Sequence, residues 1–487
     1  MPFLDRLQRW AREHPDRLAV GVGGSRLSYA ELVALATGML PGTDCVTALC
    51  QLNSVELVAG FTAAVAGKRR CAVLNPQWPA AQRVAVQQRL AAADWSAEEP
   101  AIGGPDLGFL EDGPAASTFL VGLTSGTSAV PKGFSRSRGS WQVSFDRSID
   151  YFGLAQDDVT LAPGPLSASL NLYALAECLY AGAPFVTLPA FDLAEVFRCI
   201  SGYGVTRLVV APAMLRMIAE RGNLANTPHT AAPSAAAPQG AGIRSIISAG
   251  ARLDAHTLAA ARRWAPNATI FEYYGASELG FLAAARLDPG APDQRTGTAV
   301  GPAFPGVQLS IRGSDGAELA CSEPGTIHAR SDLVSGGYLW GDDGLAFSRE
   351  GDWCTVGDQG FLAPDGVLHM LGRRSDMMVT AGHNVYPHEV ELALLDVPGV
   401  AAAVVAGLPD GARGHKIAAA VLPATAAGFG PTATTLRAEA RVALPDYKRP
   451  GAYFALSELP LTPGGKVSRS LLADWISQKD PRVRRLS

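Results

Sequence analysis

Short apolar runs of β type alternate with stretches of helical period along most of the chain, and Gly, Pro or charge interrupts each of them. Residues 182–189 (GAPFVTLP), 207–213 (RLVVAPA) and 243–250 (IRSIISAG) read as strands. Their alternation with helical patterns is the signature of α/β layering. The opening residues, MPFLDRLQRWAREHPDRLAV, read as an amphipathic helix that ends before His14-Pro15. Residues 226–242 (NTPHTAAPSAAAPQGAG) are too rich in Ala and Pro to pack and read as a surface loop. Past residue 300 the texture changes: GVQLSIRGSDGAEL and DQGFLAPDGVLHMLGR each hold apolar runs split by Asp-Gly, which predicts hairpins. From about Asp376 a smaller unit is expected, with a helix over 387–395, strands near 401–406 and 417–422, and a helix from Thr435. The charged run Arg373-Arg374-Ser375-Asp376 is the expected hinge, so the predicted domains are 1–374 and 375–487.

Composition bounds the class. At 487 residues the chain exceeds one typical core, and 48% hydrophobic with 18% charged residues describes a globular protein. A net charge of −4 without a long basic run argues against a nucleic-acid surface. No apolar stretch approaches the roughly 20 residues that span a bilayer. The N-terminus lacks a signal-peptide core, and seven cysteines without a C-x-x-C pair suggest reduced thiols, so a cytoplasmic location is expected.

The candidate chemistry starts at residues 120–138, LVGLTSGTSAVPKGFSRSR, where a loop rich in hydroxyls follows an apolar run at 117–123. Counted from Gly126, a Walker A loop needs Gly at 131 and Ser or Thr at 133; the chain has Pro131 and Gly133, which disfavours a P-loop ATPase. The loop still offers backbone N–H groups freed by Gly126 and Gly133, the hydroxyls of Thr124, Ser125, Thr127 and Ser128, and the Lys132 charge. Further segments follow: EYYGASELG (272–280), GDWCTVGDQGFL (351–362), LGRRSDMMVTAGHNVYPHEVE (371–391) and PLTPGGKVSR (460–469).

Together these segments resemble the adenylate-forming superfamily: acyl- and aryl-CoA synthetases, stand-alone adenylation domains and firefly luciferase. Its signatures T-S-G-T-T-G-x-P-K-G, Y-G-x-T-E, T-G-D-x-G, G-R-x-x-D with G-x-N-V-x-P-x-E-V-E, and P-x-T-x-x-G-K-V are matched in order, and the likeness runs from about Leu4 to Leu472. The resemblance implies a large N-terminal α/β part, built of two α/β sheets and a small β-barrel-like unit, and a smaller mobile α+β C-terminal domain. It implies ATP, Mg2+ and coenzyme A as cofactors.

By that likeness the loop with Lys132 grips the phosphates, and Glu278, in the run Tyr274, Gly275, Ser277, Glu278, holds Mg2+. Tyr274 lies against adenine, Asp358 accepts both ribose hydroxyls, and Arg373 reaches the same sugar. Lys466 bridges the carboxylate and the α-phosphate. After pyrophosphate leaves, the small domain swings about Ser375 and Gly382 lines a thiol tunnel. The chain departs from the family at Ser128-Ala129, at Ser277 (usually Thr) and at Ser375 (usually Asp or Lys).

The acid pocket implied by the resemblance includes Ala168, Ser169, Asn171, Ser248, Ala249 and Gly250. None is acidic, which disfavours an α-amino acid, whose buried ammonium needs a partner. A small aromatic or short-to-medium aliphatic carboxylate fits better. The thiol acceptor is CoA or, as the alternative, the phosphopantetheine arm of an acyl carrier protein; a degenerate nucleotide-binding scaffold is the third reading. Neither a nucleic-acid partner nor a membrane span is expected.

Overall fold

In the computed structural model the described residues are 3–42, 46–93, 95, 110–124, 130–225, 239–342, 344, 347–411, 413–424, 430–461 and 467–486. They build four sheets. The first has eight strands in the order Gly280–Leu287, Thr269–Ala276, Ser245–Ala249, Arg207–Val210, Thr160–Leu161, Phe185–Thr187, Leu18–Val22, Ser25–Ser28. Its six inner strands are parallel and both edges antiparallel. Parallel strands need crossovers, and the helices between them, such as Leu193–Tyr203 and Ala255–Trp264, cover the faces. Asp192 and Asp254 cap those two helices through the N–H of Glu195 and Thr257.

The second sheet, of five strands, runs Gly337–Trp340, Lys132–Ser137, Thr118–Thr124, Arg70–Val73, Val46–Leu49. The third has seven strands, every recorded pairing antiparallel, and carries the hairpin Asp358–Leu362 with Leu368–Arg373. That hairpin is the one expected across Asp365-Gly366. The other Asp-Gly turn forms differently: Arg312 meets Glu318 in a single bridge, and strand Gln308–Arg312 ladders instead with Gly325–Arg330. The turn is closed by the Gly313 N–H to the Ala317 carbonyl and the Leu319 N–H to the Ile311 carbonyl, and further on Ser322 N–H donates to the Leu362 carbonyl at 2.8 Å.

The fourth sheet has six strands, all from Met378 onward. Helix Pro387–Leu395 covers residues 387–395 as expected, and strands Val400–Asp410 and Gly414–Pro423 contain both predicted runs. Alternation sends Val405 and Ala419 to one apolar cluster and Val404, Ala418 and Ala420 to another, so this sheet is packed on both faces. A 3-10 turn, Arg374–Asp376, links it to strand Leu368–Arg373. The two parts touch where Arg216 Nη1 donates to the Ala401 carbonyl at 2.9 Å. Of the expected surface loop at 226–242, residues 226–238 lie outside the described residues. Among the described residues no helix is long and apolar enough to cross a membrane.

Two buried polar devices hold the floor of the large part. Glu177 and Arg207, each with a side chain 2% exposed, pair at 2.7 Å. Asn53 donates to the Gly164 and Leu188 carbonyls at 2.9 Å and accepts from Leu166 N–H at 2.8 Å, which fixes the loop leading to helix Ser169–Ala181.

Candidate active site

The hydroxyl-rich loop joins two antiparallel strands: Thr124 ends the first, Lys132 begins the second, and the two residues face each other in register. Residues 125–129, and with them Ser125, Gly126, Thr127 and Ser128, lie outside the described residues. Next to the second strand runs Gly337–Trp340. Trp340 packs on Gly133, where a Cβ would sit 2.4 Å from its ring, and its Nε1 donates to the Pro131 carbonyl at 2.8 Å. Glycine at 133 is therefore a packing requirement, and the tryptophan anchors the base of the loop.

Glu278 comes to this hairpin from the turn after strand Thr269–Ala276. The turn is tight: a Cβ on Gly275 would lie 2.3 Å from the Gly280 carbonyl oxygen. Tyr338 joins the two regions. Its hydroxyl donates to Glu278 Oε1 and lies 3.3 Å from Thr124 Oγ1, while Lys132 Nζ stands 5.8 Å from its ring centre. Behind the turn, the buried Arg136 guanidinium donates to the carbonyls of Ser277, at 2.5 Å, and Leu333. Burial lowers the Arg136 pKa to about 10 against the opposing pull of the Glu278 carboxylate.

Asp358 sits at the other end of the site with a second pair of partners. Tyr274 donates to its Oδ2 at 2.6 Å, and Arg373 Nε lies 3.5 Å from Oδ1. Asp358 Oδ1 is buried without a hydrogen-bond partner among the described residues. Burial pushes this carboxyl's pKa up, offset in part by Tyr274 and Arg373. An acceptor held in this way fits a ligand with hydroxyls to donate.

The expected pocket residues divide. Ser169 Oγ lies 3.2 Å from Ser277 Oγ, so the start of helix Ser169–Ala181 meets the Glu278 turn, and Ala168 caps that helix without a side-chain bond. Asn171 turns instead to the loop backbone and donates to the Pro165 carbonyl at 3.2 Å. Ser248 is fully buried opposite Glu272 and its hydroxyl has no partner among the described residues, whereas the neighbouring Ala249 alternates to the other face. Gly250 takes a φ of 93° with open space around it. Tyr173, one turn beyond Ser169, and Tyr273, on strand Thr269–Ala276, are both half-buried and pack against Phe281 at ring distances of 5.3 and 4.6 Å.

In the small domain Gly382 is exposed in a two-residue hairpin turn, with φ of 48° at Ala381 and 81° at Gly382. Ser375 Oγ donates to Asp376 Oδ1 at 3.3 Å. His383 stacks on Tyr447 at 4.4 Å, and Lys448 pairs with Glu389. Residues 462–466, including Lys466, lie outside the described residues. Sequence reasoning missed Tyr338, Trp340 and Arg136. Arg136 left a signal, a lone cation two residues from Phe134 on the same face of a strand; Tyr338 and Trp340 left none, because their partners are about 60 and 210 residues away.

A family model described as AMP-binding enzyme matches residues 87–339, and one described as AMP-binding enzyme C-terminal domain matches residues 389–466. The chain belongs to this family, the adenylate-forming superfamily. It is 31% identical over 363 residues to the uncharacterized acyl-CoA ligase YhfT of Bacillus subtilis, covering 74% of this chain and 69% of that protein. It is also 31% identical over 358 residues to the 2-succinylbenzoate–CoA ligase of Geobacillus kaustophilus, covering 73% and 69%. Among solved structures, the amide bond synthetase McbA from Marinactinospora thermotolerans superposes with a TM-score of 0.79 at 25% identity, over 96% of this chain and 99% of that one. The o-succinylbenzoate CoA synthetase MenE from Bacillus subtilis, in complex with an acyl-adenylate, shares the fold at a TM-score of 0.78 and 24% identity, over 96% and 97%.

Proposed function

We propose that this enzyme, of the AMP-forming acid–CoA ligase class, activates a small aromatic or short-to-medium aliphatic carboxylic acid with ATP and passes the acyl group to the thiol of coenzyme A. In the first step a carboxylate oxygen attacks the α-phosphorus and pyrophosphate leaves, giving an acyl-AMP. In the second a thiolate attacks the acyl carbon and AMP leaves. The observation that carries the reading is the meeting of Thr124, Lys132 and Glu278 around Tyr338, which sets a hydroxyl, a cation and a carboxylate around one point.

Lys132 and Thr124 hold the triphosphate. Glu278 would hold Mg2+, a hard cation suited to a carboxylate together with phosphate oxygens. When bound, the ion neutralises phosphate charge as pyrophosphate departs. Asp358 and Arg373 hold the ribose, with Tyr274 beside the base. Lys466 draws carboxylate and α-phosphate together, and residues 375–487 turn about Ser375 to bring Gly382 to the thiol path. Ala168, Ser169, Asn171, Ser248, Ala249 and Gly250 line the acid pocket, with Ser277 beside Ser169.

The test is pyrophosphate release with ATP and Mg2+ across a panel of carboxylic acids, repeated with CoA, a phosphopantetheinylated carrier protein, or an amine as acceptor. Thioester formed with CoA is the expected result. Acyl transfer to the carrier or the amine alone corrects the acceptor, and silence with every acid overturns the reading.

A further inference from the structure

We infer that Tyr338 is a positioning residue that aims the Glu278 carboxylate at a divalent cation, so that strand Gly337–Trp340 sets the metal affinity of the enzyme. This rests on the reading of Glu278 as the carboxylate that meets the metal.

The backbone of Glu278 is already held from two sides. Ser335 N–H donates to its carbonyl at 2.7 Å, and Arg136 grips the carbonyls of Ser277 and Leu333. What remains free is the side-chain torsion of Glu278, and the Tyr338 hydroxyl restricts it by donating to Oε1. The single bond leaves Oε2 and the second lone pair of Oε1 for an ion. Tyr338 can do this because it is itself fixed. Its backbone registers opposite Phe134, its ring meets Phe134 edge-on at 6.1 Å, and Trp340 two residues on is bonded to Pro131. The same hydroxyl lies 3.3 Å from Thr124 Oγ1, so the carboxylate is aimed at the end of the strand from which the phosphate loop leaves. Hydrogen bonds to a metal's ligands orient them and set their affinity, and losing one commonly weakens binding about 10- to 100-fold.

The test is titration of Mn2+ into the full-length enzyme with ATP, reading free Mn2+ by electron paramagnetic resonance, beside ATP binding in EDTA by calorimetry. Tyr338→Phe keeps the ring on Phe134 and beneath Lys132 and removes only the hydroxyl. It is expected to weaken Mn2+ binding about 10- to 100-fold, and to lower metal-free ATP affinity by much less, through the lost contact with Thr124. Tyr338→Leu is expected to weaken Mn2+ to the same extent and also to lower metal-free ATP affinity, because Lys132 loses the ring beside it. An unmoved Mn2+ curve in either folded variant overturns the inference. So does a fall in urea midpoint and metal-free ATP affinity without a change in Mn2+ affinity, the pattern of a merely structural tyrosine. Absence of Mn2+·ATP binding by the unaltered enzyme overturns the functional reading and this inference with it.

Discussion

Replacing Asp358 with Asn separates what this residue does for the fold from what it does for the nucleotide. The carboxylate is 5% exposed; one oxygen is occupied by the Tyr274 hydroxyl at 2.6 Å, and the other has no hydrogen-bond partner among the described residues. Its pKa is raised by burial, and the sign follows. A carboxyl whose folded pKa lies above its unfolded value contributes its full stability below the unfolded pKa and loses it as pH rises through the folded one. At neutral pH the buried charge is thus a burden on the free enzyme, and an amide of the same size relieves it by on the order of 1 kcal/mol. The amide oxygen still accepts from Tyr274, but on the proposed reading one charged acceptor for the ribose is gone. A hydrogen bond to a charged group contributes about 1.5–3 kcal/mol, so ATP affinity should fall about 10- to 150-fold. Calorimetry gives the affinity, and urea unfolding of the nucleotide-free proteins gives the stability. The expected pair is an equal or higher urea midpoint with weakened ATP binding. If Asp358→Asn binds ATP as tightly as the unaltered enzyme, the assignment of this carboxylate to the ribose is wrong.

Lys466→Ala is expected to lower pyrophosphate release on the order of 100- to 1000-fold while ATP binding by calorimetry stays largely intact, and near-normal turnover would remove that lysine from the mechanism. Arg207→Met strands the Glu177 carboxylate, 2% exposed, and should cost about 3–5 kcal/mol by urea unfolding, whereas Arg207→Met with Glu177→Leu should recover most of it. His388 sits against Gly372 at the junction of the two parts, and burial lowers its pKa to about 4 from 6.5. The unfolded chain binds this proton first, so stability should fall as pH drops from 6.5 to about 4, by roughly 3 kcal/mol at most. His388→Gln should flatten that part of the stability–pH curve, and an unchanged slope would place the acid sensitivity elsewhere.

What the chain determined by itself was local. Alternation and Asp-Gly turns were enough for the hairpin of Asp358–Leu362 with Leu368–Arg373, and the predicted 387–395 helix matches Pro387–Leu395, because neighbouring residues decide such elements. The residue types of the site were legible for the same reason: hydroxyls and a lysine after an apolar strand, a carboxylate two residues after Tyr-Gly-Ala, an aspartate beside a glycine. What neighbouring residues did not decide was of a different kind. Gln308–Arg312 pairs only briefly across its own turn, at Arg312 with Glu318, and forms its ladder with Gly325–Arg330, a partner that its local sequence does not mark. Where Asn171 and Ser248 stand, the one bonded to the Pro165 carbonyl and the other opposite Glu272, depends on which side of a helix or strand they occupy once the sheet is assembled. Only the tertiary structure could bring Tyr338 to Glu278 and Thr124, or Trp340 onto Gly133. Those contacts join strands 60 to more than 200 residues apart, and no local pattern carries the register of a long-range pairing.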